Sequence, residues 1–348
     1  MSEPIPNRLF SFTGVPLQPD FIADVERSDM LNQEGRAEFR IATADSAYVP
    51  DYYDGRPVFI LCEDPRLAPW VGVFDTPQDN GDFQVMQTAY TVDHVWSWRN
   101  GGKSIAISGT PGGLFRQMIR WANSQGPTII KEGQIDDSGA VVSDAINLTD
   151  MQSEISRLQQ EYGFDITYTP VIASTGNLVI LANWQRRAGA VIDFTLDESY
   201  NIEALGNNLS IQGKIINQLT GFGDGATWAS RAVYTAQDDV SISKYGLRQG
   251  VMNFSGVTDL ATVTAKTIAA LSLSKNPTNI YRFNIPIMDL GSQPTGFVDP
   301  IPYMKIGNTL NAELWSIHGG IKTQVRIMGV LPHPSQGKTE ITVNEVFS

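Results

Sequence analysis

The stretch GIKTQVRIMGVLPHPSQGKTEITVNEVF, residues 320–347, decides the fold class. Apolar and polar residues alternate on both sides of a Pro- and Gly-bearing turn, the pattern of a half-buried hairpin. Working outward, WVGVFDTPQDNGDFQVMQTAY at 70–90 has the same build, with Gly-Val on the incoming strand, Pro in the turn and Gly before the outgoing strand. Gly72 and Gly81 are nine positions apart, Gly329 and Gly337 eight. A Gly turn entering a strand precedes each hairpin, DGRPVFIL (54–61) in one case and IGNTLNAEL (306–314) in the other. Turn chemistry alone places Gly and Pro at such positions. The kept order of strand, interruption, Gly-Val strand, turn and strand adds weight to a duplication. Two related β-domains in one chain would let three chains present six similar units around an axis, which suits joining a threefold object to a sixfold one.

The stretches between follow the same logic. EGRAEFRIATADSAY (34–48), YYDGRPVFILCED (52–64) and KSIAISG (103–109) read as strands, and Asn80-Gly81 is a hairpin cue. Together they make an all-β region of sandwich or barrel type. Thr110-Pro111-Gly112-Gly113 changes the character: LFRQMIRWANSQ (114–125) puts Leu114, Met118, Trp121 and Ala122 on one helical face. LTDMQSEISRLQQEYG (148–163) is a second helix, with Thr149 as N-cap, Gly163 as C-cap and Ile155 and Leu158 on one face. Strands return over 164–197, turning at 175–177, and a mixture of strands and Gly-rich turns fills 205–255. TDLATVTAKTIAALSL (258–273) is the clearest helix, capped by Asp259 or Thr258, with Leu260, Val263, Ile268 and Leu271 as its apolar stripe. Four more strands run from about 280 to the end.

Composition narrows function. At 348 residues with 42% hydrophobic and 18% charged residues, the chain is a folded one with room for two or three domains. No window approaches the roughly eighteen consecutive apolar residues of a membrane span. The N-terminus lacks the basic and apolar blocks of a signal peptide, so synthesis and folding in cytosol are expected. A net charge of −12 disfavours a protein that grips nucleic acid, though not one that nucleic acid must pass without sticking. Cys62, the only cysteine, lies in the apolar run PVFILCED and reads as a buried hydrophobe. His94, His318 and His333 fall in no metal-binding pattern.

Four motifs were candidates for chemistry. GFGDGATWASR (221–231) is Gly-rich but lacks the GK[ST] ending of a phosphate loop. Asp238-Asp239 is a carboxylate pair, read as a cap or turn into a following strand, Val-Ser-Ile-Ser. In YTVDHVWSWRN (90–100), period-two spacing puts Trp96 and Trp98 on one strand face beside His94, for core or subunit packing. Arg186-Arg187 are solvated or an interface anchor. No catalytic, cofactor-binding or metal-ligating residue is nominated, and no cofactor is expected.

Three stretches carry a family resemblance: EFRIATADS…YYDGRPVFIL…WVGVFD leading to SIAISGTPGGLFRQMI; AQDDVSISKYGLRQ (236–249); and the ending IGNTLNAEL…TQVRIMGV…TEITV. In this order they resemble the baseplate or tail-tip hub proteins of long-tailed, siphovirus-like phages, a class that includes the N-terminal part of tail-associated lysins. The resemblance implies a mainly β fold with α+β insert domains and two tube-type β-barrel or sandwich domains at the chain ends. The expected divisions are 1–110 for the first tube-like domain, 111–200 for an α+β insert, 201–278 for a second small β/α domain ending in a helix, and 279–348 for the second tube-like domain. The last is expected to pack with part of 1–110 or 201–278. It also implies a structural virion protein and no enzyme: a homotrimeric hub that continues the tail tube, adapts its symmetry and forms the DNA ejection channel. Implied partners are a distal tail or tail-tube protein, the tape-measure protein and tail-tip or receptor-binding fibre proteins, with DNA passing unbound. No lysozyme, peptidase or lectin-like domain follows the final hairpin, so cell-wall hydrolysis is not expected. A host-surface glycan-binding or cell-wall-degrading tail module is the alternative.

Overall fold

The computed structural model describes residues 7–21, 25–45, 48–52, 55–64, 67–75, 78–79, 83–102, 104–126, 128–205, 210–212, 215–286, 299–316, 320–333 and 336–346. Eight strands come first: β1 (Asn7–Ser11), β2 (Pro16–Phe21), β3 (Glu26–Met30), β4 (Arg36–Ala42), β5 (Val58–Cys62), β6 (Trp70–Phe74), β7 (Gln78–Asp79) and β8 (Gln84–Thr91). They pair in the order β3-β4-β8-β6-β5-β1-β2, with β7 beside β8. β5 and β6 read VFILC and WVGVF, without polar alternation, because both their faces are buried. Val58, Ile60, Trp70 and Phe74 enter one core with Leu9, Phe39 and Ile41. Phe59, Leu61, Val71 and Val73 face the other way, into the core of the first insert. The Asn80-Gly81 turn lies outside the described residues.

That insert comprises α1 (His94–Ser97), β9 (Ser104–Gly109), α2 (Pro111–Gln125), β10 (Ile130–Ile135), β11 (Val142–Asn147), α3 (Met151–Tyr162), β12 (Asp165–Ile172) and β13 (Leu178–Gln185). Thr110 caps α2 by accepting a hydrogen bond from the Gly113 N–H, and Pro111 fills the first turn, where its missing N–H has no cost. Leu114, Phe115, Met118, Ile119 and Ala122 then bury one face. Gly163 ends α3 in the left-handed region, as its spacing predicts. Asp150, rather than Thr149, caps that helix, accepting from Ser153 N–H at 3.1 Å. β9 does not close the N-terminal sheet; it pairs with β11 in a separate ribbon.

After β14 (Val191–Asp197), β15 (Ala204–Leu205) and β16 (Ser210–Gln212), a second insert holds β17 (Gln218–Phe222), β18 (Val233–Gln237), α4 (Asp239–Tyr245), β19 (Gln249–Asn253) and α5 (Leu260–Ser274). The chain finishes with β20 (Thr278–Pro286), β21 (Thr309–Leu314), β22 (Ile321–His333) and β23 (Lys338–Val346). These four pair with β14, β15 and β16 around a core that includes Leu196, Phe283, Leu310, Ile327 and Ile341. Thus β14, within 111–200, pairs in parallel with β21 of the C-terminal sheet.

The two end sheets are continuous. β22 pairs with β3, Gly329 opposite Met30 and Val330 opposite Asp29, at a bulge in β22. A Cβ on Gly329 would fall 2.4 Å from the Met30 sulfur, so glycine lets the two strands meet.

The segment after Asp238 is a helix and not a strand: Asp238 accepts from Ser241 N–H at 2.8 Å and caps α4. Asp259 caps α5, and Val263 and Leu271 of the predicted stripe are buried, but the helix is rotated enough to leave Leu260 and Ile268 half exposed. Polar groups set the rotation. Thr262 accepts from the Ser143 N–H of β11, and Lys266 is fully buried between Asp144 at 2.9 Å and Glu161 at 2.5 Å. Arg157 closes the cluster against Asp144, Glu154 and Glu161, and the Tyr162 hydroxyl donates to Asp144 at 3.1 Å. Burial alone would raise Asp144, but Lys266 and Arg157 hold its carboxyl below the usual range. This buried cluster fastens the second insert to the first. Replacing Lys266 with Met leaves Asp144 and Glu161 to Arg157 alone, at a cost of about 3–5 kcal/mol. Denaturant unfolding of Lys266→Met is expected to show a loss of that size; a loss under about 1 kcal/mol would mean that the cluster does not hold the inserts.

Candidate functional site

The site follows from where three parts of the chain converge. Asn32 sits in the turn after β3 at φ 63, a left-handed conformation that asparagine tolerates. Its side chain donates to Asp165 at 2.9 Å and accepts from the Ile166 N–H at 3.0 Å, tying the turn to the start of β12. Asp165, nearly buried, also accepts from the Ala188 N–H at 2.7 Å and pairs with Arg326 of β22. Arg326 donates further to the carbonyls of Ala188 at 3.0 Å and Gly307 at 3.2 Å. Arg187, predicted to be solvated or an anchor, reaches Thr309 at 2.9 Å.

Above this knot opens a cleft of about 590 Å³ between the β3–β4 turn, α1, α3, β12 and the turn at 301–306. Its walls mix apolar residues, such as Leu67, Ile166 and Ile306, with polar ones, such as Asn32, Gln152 and Thr167. The Trp96 indole donates to the Tyr168 hydroxyl at 2.8 Å, which fixes one wall. Asp29 and Asp93 bring two carboxylates to it. Burial pushes Asp29 up to about 6; Arg27 opposes the rise and the charge of Asp93 adds to it. Burial raises Asp93 too, and its hydrogen bond from Thr91 at 2.5 Å works against the shift. Nothing local in ERSDM or TVDH marks these aspartates; pairing of β3 with β22 and docking of α3 bring them together.

The other motifs take structural roles. His94 opens a short helix, not a strand; hence Trp96 is buried while Trp98 is only half-buried, and the two share no strand face. His94 stacks on Tyr90, ring centroids 4.6 Å apart, and bonds Glu34 at 3.0 Å. The thiol of Cys62 is buried, which pushes it up to about 11 and leaves it a poor nucleophile at neutral pH. In the Gly-rich segment 221–231, Asp224 accepts from the Gly256 N–H at 2.6 Å, tying the loop to a neighbouring turn, and a 3-10 turn at Trp228–Ser230 stands where a phosphate loop needs a long helix. Among the described residues no group of three or more His, Cys, Asp or Glu could hold a metal ion. His318 lies outside those residues.

No protein-family model matches the sequence, and no curated protein matches it. Solved structures do match in fold. The chain superposes on prophage tail protein gp18 from Listeria monocytogenes EGD-e with a TM-score of 0.63 and 15% identity, over 97% of this chain and 94% of that one. It is similar to the 43 kDa tail protein of prophage MuSo2 from Shewanella oneidensis, with a TM-score of 0.57, 14% identity and 98% of each chain covered. A tail protein from Neisseria meningitidis MC58 gives a TM-score of 0.55 at 10% identity, over 98% of this chain and 96% of that one. The fold is that of phage tail proteins, and the resemblance read from the sequence holds at that level.

The folded chain keeps a proton on Asp29 up to about pH 6, whereas the unfolded chain releases it near its ordinary value of about 4. The native state therefore binds more protons in that window, and stability falls as pH rises through it. Asp29→Asn removes this dependence. Thermal unfolding across a pH series is expected to show the variant gaining on wild type from about pH 4 to 6 and holding its advantage above. Parallel curves would mean that Asp29 is not desolvated in the folded protein.

Proposed function

We propose that the chain is a structural virion protein, the hub at the distal end of a phage tail. The observation that carries this reading is the likeness of its fold to phage tail proteins along almost the whole length of both chains. In this reading three chains close a ring that continues the tail tube, and the end sheets of each chain supply two units of its wall. Three chains then offer six similar units to the tube, and threefold symmetry to the tip. Distal tail or tube protein contacts one rim, fibre or tip proteins the other, and the tape-measure protein occupies the channel until DNA leaves. A net charge of −12 suits a passage that DNA crosses without adhering. The location is the virion tail tip, after synthesis in host cytoplasm. No enzymatic step is assigned.

Light scattering on the purified chain, with negative-stain images of the same sample, tests the ring. The expected species has three times 38.2 kDa and a central hole. A protein that stays monomeric with its tube and tip partners present, and that binds host wall glycans or cleaves them, would replace the hub with a surface-binding or wall-degrading module.

A further inference from the structure

The cleft above Asp165 carries more unneutralised polarity than a packing defect does. Among the described residues neither Asp29 nor Asp93 is in an ion pair. Arg27, which opposes the shift of Asp29, directs its guanidinium to the carbonyls of Cys62 and Ala68, each at 3.1 Å. Gln159 of α3 is only 8% exposed, its side chain belongs to the cleft lining, and its amide has no hydrogen-bond partner among the described residues. An unpaired amide and two half-buried carboxylates thus line one cleft, and all three hold oxygens able to accept a hydrogen bond. Glu34 is already engaged by His94 at 3.0 Å and by Gln152 at 3.4 Å. Lys305 is exposed and is the single basic residue among the described lining.

We propose that this cleft receives a cationic side chain, the arginine or lysine of a basic segment of a partner protein. Carboxylates and the Gln159 oxygen accept, and an ammonium or guanidinium donates in every direction, while the Gln159 NH2 can donate to a backbone carbonyl of the same segment. The half-buried apolar lining residues Leu67, Ile166 and Ile306 suit the methylene stem of such a side chain and its apolar neighbours, while its head reaches the carboxylates. The volume falls within the roughly 300–1,000 Å³ of ligand sites and exceeds what a lone ion needs. A hard divalent cation would demand six or more oxygen ligands, a set not assembled here. Because three parts of the chain wall the cleft, an occupant would also bind those parts together. The inference concerns this cleft alone and stands whether or not the chain forms a ring.

Calorimetric titration of the full chain at low salt tests it with three probes: a blocked peptide of alternating leucine and arginine, the same peptide with glutamine for arginine, and spermidine. The arginine peptide is expected to bind at least about tenfold more tightly than the glutamine peptide, the scale of a charge-assisted hydrogen bond. The double variant Asp29→Asn, Asp93→Asn is expected to lose at least about that factor while unfolding no earlier than wild type. Gln159→Arg supplies a guanidinium from the chain itself and is expected to exclude the peptide. Absence of binding by the arginine peptide, equal binding of the two peptides, or undiminished binding to the double variant overturns the proposal. Spermidine binding as tightly as the arginine peptide also overturns it, and would make the cleft a site for free polyamines.

Discussion

One buried carboxylate, Asp165, sets the relation between the parts of this molecule. Taking a carboxylate out of water costs several kcal/mol unless donors surround it. Here the donors come from three separate places: the Asn32 amide after β3, the Ala188 backbone before β14, and the Arg326 guanidinium in β22. Each donor is useful only where the strand bearing it is correctly placed, so satisfying one side chain fixes three segments against one another. The cleft exists because these segments converge at a point without filling the space above it.

Much of the architecture was legible along the chain because it depends on local periods and caps. The alternation in 321–346 gives β22 and β23, the unbroken apolar runs VFILC and WVGVF give strands buried on both faces, and Thr110-Pro111 marks the start of α2. Where a local pattern fits two structures, the reading failed. Val240-Ser241-Ile242-Ser243 alternates like a strand, yet a cap at Asp238 and a stop at Gly246 make it helix. The apolar stripe expected on α5 holds at Val263 and Leu271, which are buried, and misses at Leu260 and Ile268, because Thr262 and Lys266 face the neighbouring insert. The cleft was not legible at all: Asp29 and Asp93 acquire their character from strands and helices far away in sequence.

The acidic composition is handled in two ways inside the fold. Around Lys266, Asp144, Glu154 and Glu161 meet two cations, so negative charge becomes a fastener between the inserts. Around Asp29 and Asp93 the account is left open, with Arg27 turned towards backbone carbonyls. The first arrangement is complete within one chain and the second is not. That difference, rather than the total charge, separates a structural cluster from a receptive one.

The pairing of β3 with β22 also orders events in time. Met30 and Gly329 are 299 positions apart, so the strand that covers the β3 edge is made long after β3 itself. Contacts at such separation form late and slowly, because the loop must close before the ladder rewards it. During synthesis the N-terminal sheet therefore waits with one edge bare, a surface that invites pairing with another chain. Arrival of β22 is what seals it, so the exposed edge of the N-terminal sheet lasts as long as the synthesis of everything that separates the two strands.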